Sequence, residues 1–305
     1  MDNATSFNRK SGVQRFLSKL FTNRTKRQTR SKTGNAVVFF FIAILAVFSA
    51  VPLVLSIGMS FKPLNELYMF PPKLMPVVPS FDSYRTLLNL MTSTWIPFTR
   101  YFFNTIFITI VGTIGHVLVA SAAAYPLAKG HFRGRNIINT AVMFSLMFVT
   151  TINDIANYLI ISVLGWTDTY AAIIVPMLGA PLGLFIMRNY ISAAIPDSLL
   201  ESAKLDGCNE MQSYFKIVMP LIRPAWLTVG ILMFQQTWSQ PHTLYIYSEK
   251  YKTLPYAISQ ITSGSLIKAG AAQAGAVLML LVPAVIFIIS QTKIVNAMAT
   301  SGIKE

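Results

Sequence analysis

Long apolar segments separated by short polar stretches dominate the pattern of this chain. Six of these segments carry almost no charged side chains. At ~1.5 Å per residue, each is long enough to cross much or all of a ~30 Å hydrocarbon layer. They cover residues 37–57, 103–127, 137–161, 171–187, 225–245 and 271–289. The pattern therefore predicts an all-α membrane protein with six transmembrane helices.

The connections between these segments add detail to this prediction. Residues 61–100 form a polar, proline-rich loop that we expect to hold a short helix near residues 81–90. Small residues cluster at 120–124 and 269–276, where helices can approach closely in lipid. The first apolar segment is not typical of a cleaved signal peptide, because it starts far from the N-terminus and lacks a small-x-small cleavage site.

Composition supports the same class of protein. The chain is 53% hydrophobic and only 12% charged, with a mean hydropathy of +0.54. A soluble domain usually has about twice that share of charged residues. The single cysteine, Cys208, excludes an internal disulfide, and its place beside a glycine indicates a small space-filling side chain.

A basic tail precedes the first apolar segment. Residues 1–36 carry nine Lys and Arg residues against one acid, Asp2. Within this tail, apolar residues at helical spacing over residues 13–21 could form an amphipathic helix on anionic lipid. A solvated tail that fixes topology is the plainer interpretation, and nucleic-acid binding is a third.

The distribution of basic residues predicts the orientation in the membrane. If all six segments cross, the side that holds the N-terminus receives 18 Lys and Arg residues and the opposite side receives 7. The positive-inside rule makes the first side cytoplasmic. We therefore expect a transmembrane domain over residues 37–293, with cytoplasmic tails at 1–36 and 294–305.

One hydrophilic stretch on the predicted cytoplasmic side, residues 194–223, is named here the polar segment. Pro196 suits the start of a helix, where its missing N–H is not needed. Gly207 suits the end of that helix, and Asn209 with Gln212 resembles a capping box that starts a second helix over residues 210–218.

The polar segment also carries a family motif. The spacing Glu-x-Ala-x-x-x-Gly, nine residues, then Ile-x-x-Pro is formed by Glu201, Ala203, Gly207, Ile217 and Pro220. This spacing resembles the EAA loop of the membrane subunits of bacterial ATP-binding-cassette (ABC) importers. Residues 206–207 and 215–224 are similar to the carbohydrate-uptake branch, which includes the maltose and multiple-sugar importers. Ser202 and Met219 are departures from the usual Ala and Leu.

The resemblance extends over most of the chain outside the basic tail. Further stretches similar to the family lie at residues 103–105, 122–129, 132–135, 164–170, 188–190 and 253–255. Residues 237–240 depart from it, because the family commonly has Trp-Asn-Asp or Trp-Asn-Glu where this chain has Thr-Trp-Ser-Gln. This departure leaves the sugar specificity open.

The resemblance implies a type I importer permease that forms the pathway for a carbohydrate, a di- or oligosaccharide. It implies a heterodimer with a second homologous permease, two ABC ATPase subunits that bind ATP and Mg²⁺, and an extracellular or lipid-anchored solute-binding protein. Contact with an ATPase would fall to Glu201, Ser202, Ala203, Asp206, Gly207 and Cys208.

Motifs for catalysis are missing from the sequence. It has no Gly-x-x-x-x-Gly-Lys-Ser/Thr loop for ATP phosphates, no His-Glu-x-x-His and no Cys-x-x-Cys. We therefore expect a transport subunit with no catalytic residue, no metal ligand and no cofactor of its own. His116 is interpreted as an interhelical hydrogen-bonding residue, with a proton relay as the alternative.

Candidate contacts to a sugar combine aromatic faces with planar polar groups. They are Asn153, Asp154, Asn157, Tyr158, Gln235, Gln236, Trp238 and Gln240. The competing interpretation is structural, because Trp and Tyr also form interfacial belts and amides also bridge helices. Asp154 could equally pair with its neighbours Asn153 and Asn157.

Two other classes of function remain as alternatives. An ion-coupled secondary sugar transporter usually carries buried charges along its path, and the centres of the predicted spans carry none. A membrane enzyme or assembly scaffold is disfavoured by the missing catalytic motifs.

Overall fold

The computed structural model describes residues 32–301 except 72, 74, 93–96, 149, 243 and 263–267. Across these described residues the chain is helical, with turns and loops and no β-strand. The described residues divide into two compact units, with the boundary between residues 53 and 54. The all-helical class predicted from the sequence is therefore found throughout the described part of the chain.

The helices are labelled in chain order. They are α1 (Lys32–Ser60), α2 (Leu64–Leu67), α3 (Asp82–Thr92), α4 (Phe98–Lys129), α5 (Arg135–Ser145), α6 (Thr150–Val163), α7 (Tyr170–Leu178), α8 (Pro181–Ala194), α9 (Asp197–Leu205), α10 (Glu210–Ser213), α11 (Met219–Leu221), α12 (Arg223–Ser239), α13 (Leu254–Thr262) and α14 (Ala269–Ser301). A π-helical turn covers Tyr214–Val218 and a 3₁₀ turn covers Glu249–Tyr251.

Four helical stretches among the described residues are long and apolar enough to span a membrane. They are Gly34–Ser60, Phe98–Lys129, Tyr170–Ala194 and Ala269–Gln291. A bent pair, Glu210–Leu221 with Arg223–Ser239, would make a fifth span, although its two parts meet at 75°. The predicted first, second, fourth and sixth segments correspond to the four stretches, and the predicted fifth corresponds to the longer part of the bent pair.

The predicted third span is not one helix. Its residues divide between α5 and α6, and each is too short to cross a membrane alone. Side chains such as Asn153 and Asp154 in the first turns of α6 compete for backbone hydrogen bonds, which favours the start of a helix over its interior. The expectation of a continuous helix over residues 137–161 is therefore corrected to two short helices.

The helix α4 lies at the centre of the second unit and packs against α7, α8 and α12. Ala120 and Ala124 are buried on it one turn apart, at 3% and 0% exposure. Such small side chains let neighbouring helices approach closely. The Ala-rich stretch that the sequence singled out is therefore part of the packed core.

A close contact joins α8 to the middle of α4. His116 of α4 is buried, and its Nδ1 lies 3.2 Å from the carbonyl oxygen of Leu178 at the end of α7. A Cβ atom on Gly183 would lie only 2.0 Å from Nε2 of the same ring. His116 therefore bridges helices as the first of its two interpretations predicted, and only glycine fits opposite it.

The first unit contains the N-terminal part of α1. Apolar side chains along it are largely exposed, for example Phe39 and Phe48 at 75% each. An apolar helix with exposed side chains fits a hydrocarbon environment. The predicted amphipathic helix at residues 13–21 lies outside the described residues. At the other terminus, α14 continues to Ser301, past the predicted start of the C-terminal tail at residue 294.

Candidate functional site

The polar segment begins with the helix α9. Pro196 precedes it in an extended conformation, with φ −67° and ψ 144°. Asp197 lies in the first turn and Lys204 in the last turn, so the two charges complement the helix dipole. Leu200 and Ala203 are buried and hold α9 against the core.

A turn at Gly207 ends α9 and reverses the chain. The backbone N–H of Cys208 donates to Ala203 O, and that of Gly207 donates to Lys204 O, both at 3.0 Å. These two bonds form a Schellman motif, which requires a left-handed residue after the helix end. Gly207 has φ +81°, so it provides the helix stop that the sequence predicted.

The second helix starts at a capping box. Asn209 Oδ1 accepts a hydrogen bond from the Gln212 backbone N–H at 2.7 Å, and Gln212 Oε1 accepts one from the Asn209 backbone N–H at 3.1 Å. The regular helix α10 then lasts only four residues before the π-helical turn. Pro220 lacks an N–H and its ring crowds the preceding turn, so a widened turn replaces the single helix expected over residues 210–218.

Two charged contacts attach the polar segment to one end of α4. Lys129 Nζ donates to Asp197 Oδ1 at 2.8 Å, at the start of α9. Tyr125 OH donates to Glu210 Oε2 at 2.9 Å, and Lys204 Nζ lies 2.8 Å from Glu210 Oε1. The end of α4 is therefore tied to both short helices of the polar segment.

The same contacts set the charge of two carboxylates. The hydrogen bond from Lys129 lowers the pKa of Asp197 below its usual value of 3.8. The hydrogen bond from Lys204, with a further one from Tyr125, lowers the pKa of Glu210 below its usual value of 4.5. Both groups are therefore ionised at neutral pH and can keep the segment attached.

Most of the residues predicted to meet an ATPase lie on the free surface of this turn. Ala203 is buried and Cys208 is half-buried; the exposed ones are Glu201, Ser202, Asp206 and Gly207. Leu205 beside them is 89% exposed. A groove of about 1140 Å³ runs between α4 and the polar segment, and Glu201 lines it. The turn thus presents two acidic side chains, Glu201 and Asp206, and one large apolar side chain outward.

A second polar cluster surrounds the opposite end of α4. Asn104 is fully buried; its Nδ2 donates to the carbonyls of Lys250 and Lys252, each at 2.9 Å, and its Oδ1 accepts from Tyr170 OH at 2.7 Å. Thr105 Oγ1 accepts a hydrogen bond from the Leu254 backbone N–H at 2.8 Å. Two stretches that resemble the family, residues 103–105 and 253–255, therefore lie in contact.

Charged groups close this second cluster. Glu249 accepts hydrogen bonds from Lys252 Nζ at 2.7 Å and from Tyr101 OH at 2.8 Å. Burial opposes the ionisation of Glu249, but hydrogen bonds from Lys252, Tyr101 and Tyr256, together with the charge of Lys252, lower the pKa of the carboxyl group. The loop that follows α12 is thus fixed to α4.

The structure separates the candidate sugar contacts into two groups. On α6, Asn153 and Asp154 are exposed, whereas Asn157 and Tyr158 are half-buried. Tyr158 OH is 3.1 Å from the hydroxyl of Tyr247, so this face of α6 meets the loop after α12.

The second group lies at the end of α12. Gln235 is half-buried, and Gln236 and Gln240 are exposed. Trp238 is only 2% exposed; its indole N–H donates to Met279 O at 2.9 Å, and its ring stacks on Phe234. In this structure Trp238 joins α12 to α14, and its face is not available to stack on a sugar.

Sequence reasoning missed the residues that anchor the polar segment. Tyr125 and Glu210 were not among the candidate residues, and Lys129 was noted only within a resemblance. The available signal was the Tyr-Pro step near the end of an Ala-rich apolar segment. A tyrosine there needs a partner for its hydroxyl group when it is buried.

Comparison with known proteins decides the family. Residues 117–300 match the family described as "Binding-protein-dependent transport system inner membrane component". The chain belongs to this family. The matched residues include the polar segment, both anchors on α4 and all of the candidate sugar contacts.

Individual relatives agree with this assignment. Protein LplC of Bacillus subtilis is 32% identical over 224 residues, which cover 73% of each chain. The polygalacturonan/rhamnogalacturonan transport system permease protein YtcP of the same organism is 30% identical over 218 residues, 72% of this chain and 73% of its own length. As a binding-protein-dependent permease, the chain is a membrane-embedded transport subunit and not an enzyme.

A solved structure shares the fold. It is the crystal structure of a bacterial ABC transporter involved in the import of the acidic polysaccharide alginate, with a TM-score of 0.71 and 22% identity. The match covers 94% of this chain and 99% of the other. The described helices are therefore arranged as in an ABC importer permease.

Proposed function

We propose that this binding-protein-dependent permease forms one half of the translocation pathway for a di- or oligosaccharide. A second homologous permease supplies the other half, and an extracellular solute-binding protein delivers the sugar. This chain has no phosphate-binding loop. Binding of ATP and Mg²⁺ and hydrolysis of the ATP are therefore assigned to two separate ATPase subunits.

The observation that carries the proposal is the geometry of the polar segment. It is a two-helix turn with an exposed outer surface, closed by Gly207 and a capping box, and fastened through Asp197 and Glu210 to the central helix α4. A rigid protrusion attached to a membrane helix can transmit movement from a separate nucleotide-binding subunit. A loop without such attachments would absorb that movement instead.

The topology that fits this function has six spans. In it, α5 and α6 cross together as the third span, and α12, the longer part of the bent pair, supplies the fifth. The excess of basic residues on the side of the polar segment supports cytoplasmic termini. The polar segment then faces the compartment that contains ATP.

In the proposed mechanism, Glu201, Ser202, Ala203, Asp206, Gly207 and Cys208 form the ATPase-coupling surface. Exposed Glu201 meets a basic residue of the ATPase, while buried Ala203 allows α9 to lie close to its own core. ATP-driven closure of the ATPase pair moves the polar segment and, through Lys129 and Tyr125, the end of α4. The inward-open and outward-open states of the pathway bind ATP with different affinities, and this difference supplies the energy of the conformational change.

A carbohydrate is the proposed solute because relatives with a stated solute carry saccharides. The polar face of α6, with Asn153, Asp154, Asn157 and Tyr158, offers the amide, carboxylate and hydroxyl groups that sugar hydroxyls require. Gln235, Gln236 and Gln240 of the α12 group add planar amides. Trp238 supports this site by packing and not by contact.

Reconstitution tests the proposal. The complete complex, purified with its sister permease and ATPases, is placed in liposomes with its solute-binding protein and a panel of neutral and acidic oligosaccharides. We expect uptake of one or more sugars that requires ATP and the binding protein. Uptake driven by an ion gradient without ATP would contradict the proposal.

A charge reversal tests the coupling surface. Glu201→Lys should reduce ATP-dependent uptake and the recovery of ATPase with the permease. Asp82→Lys is the matched control, because it makes the same change on an exposed carboxylate of α3 whose 3.9 Å pair with Arg85 is too exposed to contribute much. Equal effects of the two changes would remove Glu201 from the coupling surface.

A further inference from the structure

The loop after α1 carries a cluster of exposed apolar side chains that the transport cycle described above does not use. Met69 is 57% exposed and Phe70 is 94% exposed. Met75, Val77 and Val78 follow at 61%, 59% and 63%. We call these five residues the apolar patch. Large contiguous apolar surfaces on a protein usually mark a contact with a membrane or a partner.

The loop that presents this patch is held in place by polar contacts. The Glu66 carboxylate accepts hydrogen bonds from the backbone N–H groups of Val77 and Val78, at 3.0 and 3.3 Å. Lys62 is buried, and its Nζ donates to the carbonyl of Lys73. The apolar side chains therefore point outward from a braced loop.

The base of the loop is equally well packed. The Ser80 backbone N–H donates to Phe61 O at 2.8 Å. The ring of Phe61 meets that of Phe81 edge-on at 5.5 Å, and Ser60 Oγ lies 3.0 Å from Tyr84 OH. Met69 and Phe70 are therefore exposed on a loop that has internal contacts of its own.

The position of the patch identifies what covers it. It begins nine residues after α1 ends at Ser60, and the last turns of α1 expose Val54 and Ile57 at 39% and 43%. These side chains continue the apolar surface of a helix able to span the membrane. The patch therefore lies where that surface leaves the hydrocarbon layer.

The chemistry of the loop matches a lipid interface. Tyrosine favours the headgroup level of a bilayer, because it has an apolar ring and a polar hydroxyl group, and a lysine can extend toward phosphate groups. Exposed Tyr68 precedes the patch, and exposed Lys73 lies between Phe70 and Met75 in the same loop.

We propose that the apolar patch rests on phospholipid at the membrane surface where α1 ends. The patch anchors this end of α1 at the membrane surface. The inference requires only that α1 spans the membrane, so it stands apart from the identity of the sugar and from the coupling surface.

Site-directed photo-crosslinking tests this inference. The photoreactive residue p-benzoylphenylalanine replaces Phe70 in one variant and Val78 in another. The whole complex, with its solute-binding protein, is placed in nanodiscs of phosphatidylethanolamine and phosphatidylglycerol and illuminated. Mass spectrometry then identifies what is attached to the loop. Recovery of the ATPases with each variant shows that the complex has assembled.

Arg85 is the matched control position. It lies on neighbouring α3, its side chain is 79% exposed, and it faces the water-exposed Asp82. We expect a phospholipid adduct at Phe70 or Val78 and none at Arg85. Attachment to the binding protein or to the sister permease would overturn the inference, and so would lipid labelling no greater than that at Arg85.

Discussion

At the scale of single residues, the contact between Gly183 and His116 is the tightest constraint described in the core. Gly183→Ala places a Cβ 2.0 Å from His116 Nε2 and 2.9 Å from Val229 Cγ1. Overpacking of this kind typically costs about 1–3 kcal/mol of folding free energy. We expect a lower midpoint of thermal unfolding for the purified complex.

Gly230→Ala is the control for this change. Gly230 is also helical, but its nearest neighbour to an added Cβ is Val117 Cγ2 at 3.7 Å, an ordinary contact. Alanine there should leave the unfolding midpoint unchanged or raise it, because alanine favours helix by about 1 kcal/mol over glycine. Equal unfolding midpoints for the two variants would contradict the close approach of α8 to α4 at His116.

The carboxylates of Asp197 and Glu210 give the attachment of the polar segment a pH dependence. The pKa of each is lower when the segment is attached than when it is free. The stabilisation is therefore complete above the usual values of 3.8 and 4.5, and it is lost as pH falls through the lowered values. We expect no change between neutral pH and about pH 5, and detachment only at stronger acidity.

Amide hydrogen exchange tests this prediction. Exchange of the amides of residues 197–213, corrected for the intrinsic effect of pH, should accelerate only in the acidic range. The double variant Asp197→Asn with Glu210→Gln should exchange faster at neutral pH and lose the acidic transition. Exchange that accelerates already near pH 6.5 would point to a histidine instead.

At the scale of elements, the turn between α9 and α10 depends on one left-handed glycine. Gly207→Ala keeps the turn but forces alanine to φ +81°, which costs about 1 kcal/mol. We expect faster exchange of the last turn of α9 and weaker coupling of ATP hydrolysis to uptake. Both follow from a less rigid turn.

Gly179→Ala is a matched control at another helix end. Gly179 follows α7 with φ −88°, and an added Cβ would meet its nearest neighbour at 3.7 Å. This change should leave transport intact. A loss of coupling in both variants would contradict a specific role for the left-handed conformation of Gly207.

Local signals explain which elements the sequence could predict. The stop at Gly207 and the capping box at Asn209 depend on residues close in sequence, so their patterns were readable. The division of residues 137–161 into α5 and α6 was not, because mean hydropathy hides the effect of a few polar side chains on backbone hydrogen bonding. The short π-helical turn was also missed, because Pro220 marks a limit of the helix in the sequence but does not show that the turn before it widens.

Partners distant in sequence explain what the sequence left open in the candidate site. Tryptophan is a residue type that stacks on sugars. The contacts of Trp238 with Phe234 and Met279, however, depend on how α12 packs against α14. Likewise, Tyr125 and Glu210 are 85 residues apart, and only the fold brings them together. Residue type alone could not decide either role.

At the scale of the whole molecule, the side on which the polar segment lies can be tested with the native cysteine. Cys208 is the single cysteine of the chain and is half-buried at the turn. A membrane-impermeant maleimide should label it in inside-out vesicles from which the ATPase subunits have been stripped, and not in intact cells. This follows from the excess of basic residues on that side.

An added cysteine provides the control for topology. Asn65→Cys places a second thiol on exposed α2, on the opposite side of the proposed topology. Intact cells should then become labelled, while the wild-type chain stays unlabelled. Labelling of wild-type Cys208 from outside would reverse the topology and remove the ATPase from reach of the polar segment.

The two polar clusters on α4 have a consequence for the kinds of motion that the molecule allows. This helix has 32 residues and a length of about 48 Å, and hydrogen bonds fasten it near both extremities. Axial sliding would break the bonds of Asn104 and Tyr125 at once. Rotation about its long axis relative to these partners would break them as well. A tilt of α4 together with the polar segment and the loop after α12 would preserve them, so the hydrogen bonds favour movement of these parts as one body.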